Sequence, residues 1–132
     1  MTDDILKLIE YRFSQAEETM AAAKELLANG HYKDAVNRSY YAMFYCGLGL
    51  LAGKKLGSSK HSGVLSLFSR HFVKTGMFPA ESARHLREAF ELRQRCDYRE
   101  FVEIEREQVE EVLRNAEKFI DEARRVLDEM RR

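Results

Sequence analysis

Two arginines in this sequence stand where apolar residues are expected. Arg93 follows Leu86, Ala89 and Phe90 along one helical stripe, which Cys96 and Asp97 continue. The opposite side of that stretch is already served by Arg84, Arg87, Glu88, Glu91 and Arg95. A guanidinium on an inner stripe has to meet a carboxylate or a bound phosphate, because an unpaired buried charge is costly. Asp97 lies four residues on and shares the face, so an internal Arg93–Asp97 ion pair fixing the helix end would satisfy Arg93 as well as a ligand would. Arg38 is the second case. It borders the uncharged run Ser39–Gly53 at its N-terminal end, and Asp34, one turn earlier, is placed to hold it at the surface. If both arginines instead face one cleft, with Tyr41 and Tyr98 lining it, the guanidiniums and phenols suit the phosphate of a nucleotide or an RNA.

The histidines offer a weaker signal. His31, His61, His71 and His85 show no spacing that would make a metal site, and no metal or other cofactor is expected. His61 follows Lys60 at the start of a helix, just after Lys54, Lys55 and the turn Gly57-Ser58-Ser59. Helix N-termini attract anions, so His61 joins the candidate ligand-binding residues; a local cap or a packing role is the competing reading. The segment is not a phosphate-binding loop, since no strand precedes it and no lysine directly follows its second glycine. There is no Gly-x-Ser-x-Gly, and the carboxylates lie on helix faces that solvation explains, so no catalytic residue is named.

These residues have to be positioned by helices. Ile5, Ile9, Phe13, Ala16, Met20, Ala23 and Leu27 recur at helical spacing between about Asp3 and Ala28, with Thr2 or Asp3 as cap and Asn29-Gly30 as stop. A second helix, about Tyr32 to Ala52, keeps no polar face after Arg38. It should be central, or buried in part by a second copy of the chain. A third is expected from about Lys60 to Val73, capped by Ser58 or Ser59. A fourth begins near Pro79 and runs to about Cys96. The last spans about Ile104 to Arg131, with an apolar stripe from Val109 to Met130. The first and last helices, each roughly 40 Å long, should pack side by side.

Composition agrees. The chain has 132 residues, 45% hydrophobic and 33% charged, with one proline and seven glycines. That reads as a single all-α domain, an antiparallel bundle of about five helices. Twenty-two basic residues balance 22 acidic ones, which excludes a generally basic nucleic-acid binder but not a local basic cleft. The 15-residue run Ser39–Gly53 would reach roughly 22 Å as a helix, too short for a bilayer, so no membrane association is expected. Two cysteines, Cys46 and Cys96, read as free thiols in a cytoplasmic protein, and the N-terminus lacks the basic region of a signal peptide.

Three segments, in order, resemble a known family. Arg38-Ser39-Tyr40-Tyr41-Ala42-Met43-Phe44 is similar to the second-helix signature of HEPN-domain proteins. Lys60-His61-Ser62-Gly63-Val64, with Phe68 and Phe72, resembles the next segment of the small stand-alone members. Leu92-Arg93-Gln94-Arg95-Cys96-Asp97-Tyr98 resembles their Arg-x-x-x-Asp-Tyr signature. The resemblance implies a helical homodimer and partnership with a minimal nucleotidyltransferase in a toxin–antitoxin-like pair. Many such proteins are RNases whose site is an arginine followed, after four to six residues, by a histidine. No arginine here has a histidine at that spacing. A base is then missing, and Asp97 is a poor substitute because pairing with Arg93 would lower its pKa. Three expectations follow: a non-catalytic binder of nucleotide or RNA, an RNase that recruits His61, or a structural dimeric adaptor.

Overall fold

The computed structural model describes residues 1–98 and 102–132. Five α-helices follow one another: α1 Asp3–Ala28, α2 Tyr32–Gly53, α3 His61–Phe68, α4 Ala80–Tyr98 and α5 Arg106–Met130. No strand occurs among the described residues. The all-α bundle expected from composition and periodicity is what the chain forms.

Local chemistry sets the helix ends. Thr2 Oγ1 accepts from the Ile5 amide at 3.2 Å and caps α1. Gly30 takes φ +78° and turns the chain into α2. The α1–α2 hairpin packs closely at Gly49, where a Cβ would sit 3.2 Å from Arg12 Cβ and 3.3 Å from Phe13 Cε1. α1 and α5 lie side by side and antiparallel, as expected. Ion pairs Glu10–Arg131, Glu17–Arg124 and Lys24–Glu117 mark the register. These pairs are exposed and report the alignment more than they stabilise it.

α2 is the central helix and touches α1, α3, α4 and α5. Val36, Tyr40, Met43, Cys46, Leu50 and Leu51 are sealed from solvent along it. It is not covered all round, however. Tyr41, Tyr45 and Leu48, at spacings of four and three, keep a half-buried stripe. A second cluster, Phe68, Phe72, Phe78 and Phe119, closes the other part of the core with ring centroids 4.8–6.2 Å apart.

Several boundaries differ from the sequence reading. The third helix ends at Phe68 and continues as a π-helical turn, Ser69–Val73. Its N-cap is Lys60, while Ser58 Oγ accepts from the Lys60 amide at 3.2 Å and orders the preceding loop instead. α4 does not stop near Cys96 but runs to Tyr98, which keeps Asp97 in helical register with Arg93. His85 is half-buried. Cys46 and Cys96 are both free and buried. Among the described residues, no helix is long and apolar enough to cross a membrane.

Candidate anion-binding site

Arg93 is buried, 8% exposed, on the face that α4 turns toward α2. The sequence places it there because Leu86, Ala89 and Cys96 occupy the same inner side. Its Nη1 donates to Tyr41 Oη at 3.2 Å and to Asp97 Oδ2 at 3.5 Å. The second contact is at the limit of a hydrogen bond, and a single nitrogen makes both. Arg93 Nε has no partner among the described residues. The guanidinium is held largely by aromatic rings, its central carbon 5.0 Å from the Tyr40 centroid and 5.5 Å from those of Tyr41 and Phe90. The Asp97 side chain is 30% exposed against 10% for Arg93, so the carboxylate sits at the mouth and the cation inside. The internal ion pair exists, but it neutralises Arg93 loosely.

Arg38 reaches the same place from α2. Its Nε and Nη2 donate to Asn37 Oδ1 at 3.0 and 2.7 Å, so Asn37 does what the sequence assigned to Asp34. Its guanidinium lies 5.1 Å from the centroid of Tyr41, the ring that also carries Arg93. Both arginines therefore share one aromatic platform.

His61, the first residue of α3, folds onto this cluster rather than standing apart in the lysine-rich loop. Its ring stacks on Phe44, centroids 4.3 Å apart and planes 18° from parallel. Its Nδ1 lies 2.8 Å from Tyr40 Oη. Tyr98 does not join. It ends α4, 78% exposed, and five helical residues rotate it about 140° away from Arg93. Tyr40, Phe44 and Phe90 take its place. Their signal in the sequence was aromatic identity at helical spacing, which also describes ordinary core. Phe90 in addition walls an open groove between α3 and α4, about 460 Å³, beside Ser62, Ser66, Lys74 and Arg87.

The electrostatics follow from this packing. Burial, and then the Arg93 charge, hold His61 below its ordinary 6.5. The ring is neutral at pH 7. Burial pushes the Tyr40 phenol far above its usual range, so it stays protonated. The folded chain thus binds a proton at His61 less readily than the unfolded chain does. The stability this represents is fully present above pH 6.5 and is lost as pH falls from there through the folded value. The titratable groups in contact with the ring are Tyr40 and Tyr41 on α2, while Arg93 on α4 adds its charge from nearby. We expect the melting temperature of the natural chain to fall more between pH 7 and 5 than that of His61→Gln. Equal falls would remove His61 from the pH response.

The family model for the HEPN domain matches residues 9–126, from α1 to near the end of α5. The chain belongs to the HEPN domain family. The HEPN chain is 44% identical over 126 residues to a UPF0332 protein of Thermotoga maritima, with 96% of each chain covered. It is 35% identical over 130 residues to a protein of Methanocaldococcus jannaschii named "Putative toxin MJ0142", covering 92% of this chain and 88% of that one. A second protein of that organism, "Putative toxin MJ0605", is also 35% identical over 130 residues, covering 98% of this chain and 96% of the other.

Proposed function

We propose that this HEPN protein binds the phosphate of a nucleotide or an RNA at Arg93, without cleaving it, as the toxin-type member of a pair with a minimal nucleotidyltransferase. The toxin names of two relatives support the class. One observation carries the binding: a buried arginine, fixed on three rings, whose Nε has no partner among the described residues and whose carboxylate stands off at 3.5 Å. Nε is itself sealed from solvent, so the donor open to a planar or tetrahedral oxyanion is Nη2, which makes no hydrogen bond among the described residues. Calorimetric titration of adenosine monophosphate and of a short single-stranded RNA into the purified protein tests it. Arg93→Lys is expected to weaken both about tenfold, because an ammonium neither forks nor stacks in the same way. Unchanged affinity in Arg93→Lys would refute the site. Co-purification from the native organism tests the nucleotidyltransferase.

A second reading, cleavage of RNA, is favoured by His61 lying beside Arg93. Cleavage that survives removal of contaminating RNase and vanishes in Arg93→Ala would establish it in place of the first.

The assembly belongs to the same proposal. The half-buried stripe Tyr41, Tyr45 and Leu48 on α2 is the kind of surface that a second copy covers across a twofold axis. Light scattering at micromolar concentration should give about twice 15.4 kDa, and Tyr45→Glu should return the mass to that of one chain. A single-chain mass for the natural protein would reject the dimer.

A further inference from the structure

Tyr40 is sealed from solvent, yet its phenol carries one hydrogen that has to be donated. Among the described residues its hydrogen-bond partner is His61 Nδ1, at 2.8 Å. If Nδ1 carried a hydrogen, it would donate to the phenol oxygen and leave the buried O–H with no acceptor. The satisfied arrangement is the reverse: Tyr40 donates, Nδ1 accepts, and the neutral ring carries its hydrogen on Nε2. The neighbours then fall into line. Tyr41 Oη accepts from Arg93, so the Tyr41 hydrogen is directed elsewhere. Arg93 has donors alone.

We infer that Tyr40 is a positioning residue that holds His61 as a hydrogen-bond donor at Nε2, so that the Arg93 cluster is a receptor for an oxyanion that only accepts hydrogen bonds. This rests on the phosphate-binding reading of Arg93 and deepens it. The lone pair with which His61 would take a proton from a ribose hydroxyl is the one Tyr40 occupies. His61 therefore recognises a ligand and does not act as a base. The acceptor at the mouth of the cluster is the Asp97 carboxylate, which disfavours ligands that bring a second negative group to that side. Phosphate oxygens, presented away from Asp97, are the chemistry that fits.

The experiment has two arms on the full chain. Long-range proton–nitrogen correlation spectra at pH 7 should show His61 with its hydrogen on Nε2 and an unprotonated Nδ1. A hydrogen on Nδ1 would overturn the inference, whether or not any nucleotide binds. In the second arm, calorimetry with adenosine monophosphate compares three variants. His61→Gln, whose amide keeps a donor, should bind within about threefold of the natural chain. His61→Leu should bind about tenfold more weakly. In Tyr40→Phe the ring is freer to take a second proton, so as pH falls from 8 to 6 its affinity should rise relative to that of the natural chain measured at the same pH. Equal losses in the Gln and Leu variants, or parallel pH profiles in Tyr40→Phe and the natural chain, would overturn the role assigned to Tyr40. If the natural chain fails to bind adenosine monophosphate at all, the phosphate reading falls and the spectra still decide the tautomer.

Discussion

Phe68→Ala is expected to cost about 3–5 kcal/mol of folding stability, the usual range for truncating a buried phenylalanine. Phe68 is fully buried at the C-terminal end of α3. Its ring meets Phe78 at 4.8 Å, Phe119 at 5.1 Å and Phe72 at 5.7 Å. Those partners come from the π-helical turn, the linker before α4, and α5, so one ring ties three parts of the chain together. The linker is itself pinned from outside, where Arg125 donates to the Met77 carbonyl at 2.7 Å. The surrounding rings cannot collapse far into the space left behind, which puts the loss toward the upper end of that range. For a chain of this size the melting temperature should drop by roughly 10–20 °C. Circular dichroism on heating checks it. A drop of only a few degrees would mean that the four rings do not form one packed unit.

Much of the fold was legible because helical periodicity is a strong signal over long segments. Ile9, Phe13, Ala16, Met20 and Ala23 on α1, and Val109, Leu113, Ala116, Ile120 and Ala123 on α5, are buried as their spacing requires. The π-helical turn was not legible. Ser69–Val73 carries no residue type that distinguishes it from more α-helix, and what marks it in the fold is the burial of Phe72. α4 gained its last turn for a similar reason, since nothing in Asp97-Tyr98 forbids helix and Asp97 gains Arg93. In the site, the two arginines were conspicuous because charge interrupts an apolar pattern. Tyr40 was not, because a tyrosine within an apolar run reads as core until the partner of its hydroxyl is known. His61 stands out in the sequence for a different feature than the one that packs it. Its place at a helix start suggested an anion site in the lysine loop, whereas tertiary packing laid its ring on Phe44 and within reach of Tyr40. Local sequence encodes a helix terminus; which distant element it meets is set by the three-dimensional path.

Arg93→Met should separate binding from folding by the opposite signs of its two effects. The methionine fills similar space among Tyr40, Tyr41 and Phe90 without a charge to desolvate, and losing one partner of an ion pair is costly chiefly when the other is left buried and uncompensated. Asp97 would lose its ion pair, but its side chain is 30% exposed and can be hydrated. The melting temperature is therefore expected to hold or rise. Affinity for adenosine monophosphate should fall on the order of 100-fold, because charge-assisted hydrogen bonds from a guanidinium contribute most of the grip on a phosphate. Asp97→Asn provides the converse, since it removes a carboxylate that competes with the ligand for Arg93, and several-fold tighter binding is expected. If Arg93 serves to hold the bundle together, the results invert: Arg93→Met melts many degrees lower, and neither variant changes an affinity that was absent from the start. The long 3.5 Å contact to Asp97 and the absence of any partner for Nε among the described residues argue against that outcome. An arginine retained for structure alone would be expected to have its donors matched.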